Sequence, residues 1–134
     1  MQQEQDILQF DDDDKYFTVV DLICYNMGIS ITAHASNIND IRAIIAKIEQ
    51  KQLKPDIAIV SDYLGNNFED GSKLAKKLKE ICPNIKIIAY VIDPEIEWGD
   101  FKALKASKDI NKNIIGMLQQ LTGHTFKDTN IPKE

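Results

Sequence analysis

The 134-residue sequence has no long apolar run. Its longest, Ile87 to Ile92, is far too short for a membrane-spanning helix, which needs about 20 apolar residues. No Lys/Arg block stands out, and the net charge is −5, so a direct nucleic-acid surface is not expected. The acidic, polar N-terminus lacks the basic and apolar regions of a signal peptide, and the length is too small for two full domains. There are only two cysteines, Cys24 and Cys82, in no zinc or C-x-x-C spacing, and both fall on apolar helix faces. They read as small buried thiols, kept reduced in a cytoplasmic protein. There is no internal repeat and no low-complexity stretch beyond four consecutive aspartates.

What is present is globular composition, with 43% hydrophobic and 28% charged residues. Residues 1–5 read as a frayed start and 124–134 as a tail, leaving 6–123 as the domain. Ile7 to Phe10 reads as a short strand ending at Asp11–Asp14. From Tyr16 the period changes: Tyr16, Val19, Val20, Ile23, Cys24 and Met27 step along one helical face, and Gly28 sits where a helix ends. Ile29 to Ala35 reads as a strand. Asn37 with Asp40 signals a helix start before the stripe Ile38, Ile41, Ile44, Ile45, Ile48.

Ile57 to Val60 is an unbroken apolar run, as in a strand buried on both faces of a parallel sheet. After a polar loop, Gly71-Ser72 opens a helix with Leu74, Ala75, Leu78, Ile81 and Cys82 inward, Lys73, Lys76, Lys77 and Lys79 on a solvated face, and Pro83 as its stop. Ile85 to Ile92 is the next buried strand, and Phe101 to Leu104 a weak fifth. Between them there is room for at most a short helix, over which Trp98 is expected to pack. Ser107 is a candidate cap for a last helix with Ile110, Ile114, Met117, Leu118 and Leu121 inward, ended by Gly123.

Strand and helix thus alternate five times, which predicts an α/β fold: a doubly wound parallel sheet with helices on both faces. Ligands of such sheets bind at the carboxyl ends of the strands. Asp11 and Asp12 leave strand 1 there, Asp62 leaves strand 3 after Ser61, and Lys105 leaves strand 5. Facing carboxylates repel unless a cation neutralises them, and hard oxygen donors suit Mg²⁺. A carboxylate can also attack phosphorus, with the metal and a lysine stabilising the phosphoryl oxygens. Asp13 and Asp14 instead read as first-turn helix residues. His34 and His124 have no Cys or His nearby in sequence and carry no metal assignment.

In order and spacing, these residues resemble the receiver domain of two-component response regulators (the CheY-like family) over about residues 6–121. Ile7-Leu8-Gln9-Phe10-Asp11-Asp12 is similar to that family's first strand with its acidic pair. Pro55 to Asp62 resembles the phosphoacceptor strand, one residue longer than usual after Pro-Asp. Asp70-Gly71 with the helix up to Pro83, and Ala103-Leu104-Lys105, complete the likeness. The resemblance implies a flavodoxin-like five-stranded sheet in the order 2-1-3-4-5, with helix 4 shortened relative to the family. It implies Asp62 as phosphoacceptor and Lys105 as its phosphoryl partner. It implies Mg²⁺ held by Asp11, Asp12, Asp62 and the Leu64 backbone carbonyl. It also implies a histidine kinase or histidine phosphotransfer protein as donor and a protein partner downstream.

The departures are specific. The Ser/Thr position that ends strand 4 is Val91, without a hydroxyl. The aromatic switch position three before the lysine is Lys102, with Phe101 beside it. Ala106 stands where proline usually follows the lysine, and no proline follows Asp62 in the acceptor loop. The expectation is therefore an atypical stand-alone receiver, a signalling domain rather than an enzyme, with its ion-binding half kept and its read-out half altered. The alternative is a pseudo-receiver that binds partners without taking phosphate. A third class, another α/β enzyme, would need a substrate pocket and a general acid or base, and the sequence offers no residue for either.

Overall fold

The structure, a computed structural model, describes residues 5–64 and 71–127. Asp70 and most of the expected acceptor loop, residues 1–4 and residues 128–134 lie outside that range. The elements in order are β1 (Ile7–Phe10), α1 (Asp14–Tyr25), β2 (Ala33–Ala35), α2 (Ile38–Glu49), β3 (Ile57–Ser61), α3 (Gly71–Ile81), β4 (Lys86–Val91), β5 (Phe101–Leu104) and α4 (Ile114–Thr122). The strands form one sheet in the order β2-β1-β3-β4-β5, and every pairing is parallel. No described helix is long and apolar enough to cross a membrane.

Strand period explains the layering. Successive side chains of β1 and β3 point to opposite faces, and both faces are covered. Leu8, Phe10, Ala58 and Val60 meet Ile41, Ile44 and Ile48 of α2 and Leu74 and Leu78 of α3. Ile7, Ile57, Ile59, Ile88 and Tyr90 meet Val20 and Cys24 of α1 and Ile114 and Leu118 of α4. Each fully buried aliphatic side chain contributes about 1.5–3 kcal/mol relative to exposure, so the short strands are held by both layers at once.

Local details depart from the sequence expectations for identifiable reasons. In α1, Phe17 is buried and Val19 is exposed, the reverse of the expected stripe; Phe17 packs on the ring of His34, with centroids 4.3 Å apart. Residues 29–32 do not join β2. There the Thr32 side chain accepts from the Ile7 amide at 3.2 Å, while Ile29 and Ile31 pack against the core layer of α1 and α4. Ser107 does not cap the last helix: its Oγ accepts from the Asp109 amide, and Asn113 caps α4 through the Gly116 amide. Gly116 must be glycine, since a Cβ there would lie 1.7 Å from the Ile110 carbonyl oxygen. The span between β4 and β5 carries only a turn at Pro94-Glu95. Asp93 Oδ1 captures the Glu95 amide at 2.9 Å and so diverts the backbone from helical bonding. Trp98 fills the space beside the sheet, half-buried against the layer of α2 and α3.

Candidate functional site

The site is built by register. Phe10 pairs with Val60, so Asp11 and Asp12 leave β1 level with the end of β3, where Ser61 and Asp62 leave. Ser61 pairs with Tyr90, and Val91 with Leu104, so Lys105 emerges from β5 at the same edge. Backbone bonds fix the loops. The Asp11 amide donates to the Ala35 carbonyl at 3.1 Å, and the Lys105 amide to the Val91 carbonyl at 2.8 Å. The Gly71 amide donates to the Asp62 carbonyl at 3.1 Å. This last bond seats α3 on the end of β3, and only glycine allows it. A Cβ on Gly71 would stand 1.8 Å from the Ser61 carbonyl oxygen and 3.0 Å from the Trp98 ring.

The side chains meet around Lys105. Its ammonium lies 2.8 Å from Asp11 Oδ2, and the two side chains are 4% and 1% exposed. Lys105 also donates to Ser61 Oγ at 3.1 Å. The Tyr16 ring covers it at 4.0 Å and the Tyr90 ring at 5.4 Å. The two rings pack edge to face, 5.7 Å apart. Such a cation–π pair is worth about 2 kcal/mol or more when desolvated. Asp11 Oδ1 accepts from the Asp13 amide at 3.0 Å. Burial raises the Asp11 carboxyl above its ordinary value, and the hydrogen bonds from Lys105 and the Asp13 amide offset only part of that rise. Burial, with the Tyr16 and Asp11 charges, pushes the Tyr90 hydroxyl up as well.

Asp62 is half-buried beside this group. Ser61 Oγ lies 3.4 Å from Asp62 Oδ1 and accepts from the Tyr63 amide at 3.4 Å. Among the described residues, Lys105 forms its ion pair with Asp11 and not with Asp62. Asp12 is exposed, and Leu64 is buried with its carbonyl in the loop after Asp62. The carboxylates and carbonyl are donors of the right type for a hard dication. In the conformation described they are not gathered: no group of three ligating side chains stands together among the described residues. Asp13 caps α1 by accepting from the Lys15 amide, and Asp14 lies in the first turn, as read from the sequence.

The altered positions are also visible. Val91 is fully buried at the end of β4 and brings no hydroxyl. Lys102, half-buried, donates its ammonium to the Pro94 carbonyl and so ties β5 to the connection where a helix was expected. Lys79 leaves its supposed solvated face: it bonds the Ile85 carbonyl at 2.6 Å and pairs with Asp100 at 2.7 Å. Sequence reasoning missed Ser61, Tyr16 and Tyr90 as members of the site. Ser61 had a signal, being adjacent to the expected acceptor. Tyr16 and Tyr90 read as core, and only the fold brings them onto Lys105.

No protein-family model matches the sequence, and no curated protein matches it. Solved structures do match. A response regulator from Chloroflexus aurantiacus superimposes with TM-score 0.69 at 17% identity, covering 89% of this chain and 98% of its own. The receiver domain of a sensor histidine kinase from Pseudomonas aeruginosa, described with a magnesium ion coordinated in its active-site cleft, gives TM-score 0.68 at 17% identity, covering 90% of this chain and 99% of its own. The phosphorylated cyanobacterial phytochrome response regulator RcpA gives 0.68 at 11% identity, covering 94% and 100%. Strand order and these superpositions together give the chain the receiver-domain fold of response regulators.

Proposed function

We propose that residues 6–123 form an atypical receiver that accepts a phosphoryl group on Asp62 in a Mg²⁺-dependent reaction and signals by binding a protein partner. The observation that carries this reading is the register placing Asp11, Asp12, Asp62 and Lys105 at one carboxyl edge, with Lys105 and Asp11 in contact at 2.8 Å. Asp11, Asp12, Asp62 and the Leu64 carbonyl would hold the metal. When bound it would neutralise the carboxylates and the phosphoryl oxygens. A phosphohistidine on a kinase or phosphotransfer protein is the donor this chemistry suits. An Asp62 carboxylate oxygen forms the new bond to phosphorus as the P–N bond breaks, and its electron pair leaves on the imidazole nitrogen, which takes a proton. Magnesium in the Pseudomonas aeruginosa domain and phosphorylation in RcpA support the reading by analogy of fold.

A second reading, a pseudo-receiver working by partner binding alone, is favoured by two observations: Val91 offers no hydroxyl, and the carboxylates are not gathered among the described residues. Intact mass after incubation with acetyl phosphate and Mg²⁺ separates the two. A receiver gains one phosphoryl group, and Asp62→Ala gains none. A parent that gains nothing, beside a control receiver that does, refutes phosphorylation in favour of the pseudo-receiver.

A further inference from the structure

Ser61 Oγ is the one side-chain atom, among the described residues, that touches both Asp62 and Lys105. Its residue is 2% exposed, so water does not compete for those contacts. The hydroxyl has one proton and two lone pairs. The lone pairs take the Lys105 ammonium at 3.1 Å and the Tyr63 amide at 3.4 Å. That leaves the proton for Asp62 Oδ1, at 3.4 Å. The last distance is long for a hydroxyl bonded to a carboxylate, as hydrogen bonds at reaction sites often are before substrate binds. No described residue bonds Asp62 Oδ2. Among the described residues the two acceptor oxygens are thus unequal: a buried hydroxyl addresses one, and no described residue bonds the other.

We infer that Ser61 is a positioning residue for phosphoryl transfer, holding Asp62 Oδ1 and the Lys105 ammonium in place so that Oδ2 attacks, and supplying from β3 the hydroxyl that Val91 leaves out of β4. The inference rests on the receiver reading above. It answers a specific difficulty. Lys105 is drawn away from Asp62 by Asp11 at 2.8 Å and by the Tyr16 ring at 4.0 Å. Ser61 is the contact that keeps the ammonium tied to the acceptor's side. In the step, an Oδ2 lone pair forms the O–P bond, and the donor's P–O or P–N bond breaks with its electrons leaving on the donor.

The test compares Ser61→Ala, Ser61→Thr and Ser61→Ala/Val91→Thr with the parent, using acetyl phosphate and Mg²⁺. Losing one preorganised donor slows such reactions about 100-fold or more at a fully formed site. Given the long Ser61–Asp62 contact, Ser61→Ala should slow modification by about tenfold or more. Ser61→Thr, which keeps the hydroxyl, should stay near the parent, and the added Val91→Thr should restore part of the lost rate. A second readout needs neither metal nor phosphate: the ¹⁵N NMR signal of the buried Lys105 ammonium should shift or broaden in Ser61→Ala and persist in Ser61→Thr. Modification of Ser61→Ala at the parent rate overturns the inference, as does equal slowing in Ser61→Thr, which would mark a purely structural role. An unchanged ammonium signal in Ser61→Ala overturns it too. A parent that takes no phosphoryl group, or an Asp62→Ala protein that takes one, overturns the receiver reading and the catalytic consequence with it, while the ammonium signal still decides the contact.

Discussion

The Asp11–Lys105 pair offers the sharpest energetic prediction. The charges are 2.8 Å apart and almost wholly out of water, with side chains 1% and 4% exposed. At an effective dielectric of about 20, their attraction is about 6 kcal/mol. Removing two ions from water costs several kcal/mol each, so the pair as a whole should contribute little net stability. Breaking it is another matter. Among the described residues, Lys105→Met leaves a buried carboxylate with only the Asp13 amide as partner, and should cost about 3–5 kcal/mol at neutral pH. Asp11→Leu leaves the ammonium, but Ser61 Oγ and the rings of Tyr16 and Tyr90 still address it. Cation–π contacts of about 0.5–2 kcal/mol each should hold that loss to roughly 2–3 kcal/mol. The double variant Asp11→Leu/Lys105→Met should lie within about 1 kcal/mol of the parent, because no charge is stranded. Urea denaturation of the four proteins with a shared m-value measures the cycle. Single variants costing under 1 kcal/mol, or a double variant that simply sums the singles, would refute the reasoning.

Other features make equally direct predictions. Gly71→Ala places a Cβ 1.8 Å from the Ser61 carbonyl oxygen and should destabilise the fold by about 1–3 kcal/mol, read as a fall in the urea midpoint; an unchanged midpoint would mean that α3 does not seat there. Burial, with the Asp21 charge, pushes the Cys24 thiol up to about 12, so iodoacetamide at pH 8 should label half-buried Cys82 and spare Cys24 until the chain unfolds; equal labelling of both in the native protein would contradict the packing. Against a desolvation cost, the bonds from Lys79 and the Ile87 amide hold the Asp100 carboxyl below its ordinary 3.8. Its stabilisation is therefore present above pH 3.8 and lost as pH falls through the lowered value; Asp100→Asn should flatten that acid limb by under about 1 kcal/mol, since the pair is a third exposed. Trp98, the sole tryptophan, packs on Gly71, whose amide holds the Asp62 carbonyl, so its fluorescence should change when acetyl phosphate and Mg²⁺ are added and stay constant in Asp62→Ala.

The sheet was legible because its signal is strong. Unbroken apolar runs such as Ile57 to Val60 can only be strands buried on both faces when helical stripes alternate with them. The caps at Asn37 and Gly123 were legible because their chemistry is local. The last helix starts at Ile114 rather than after Ser107 because Ser and Asn can both cap locally, and the close approach of Ile110 and Asn111 to Gly116 leaves that role to Asn113. In α1 the stripe took in Val19 rather than Phe17, since neighbouring apolar residues leave the facing direction to tertiary contacts. The charged residues at the strand ends could be read from order and spacing. The setting of Lys105 could not, because its partners come from β1, α1, β3 and β4.

That setting bears on how a modified Asp62 would act. In the described state, Lys105 is satisfied by one carboxylate, one hydroxyl and two aromatic faces, and has no electrostatic reason to leave them. A phosphoryl group on Asp62 would bring nearly two negative charges and three acceptor oxygens to the other side of the Ser61 hydroxyl. The ammonium would then have a stronger anion within one hydrogen bond of its present place. Lys105 need not travel far to respond, since Ser61 already bridges the two positions. What it would release is the contact with Tyr16, on the first turn of α1, and with Tyr90 in β4. The pairing of a hydroxyl at position 91 with an aromatic at 102 has no physical basis here, because Val91 cannot donate and Lys102 is bound to the Pro94 carbonyl. A change in charge at Asp62 would therefore reach the surface by way of Tyr16 and α1 more directly than through the connection between β4 and β5.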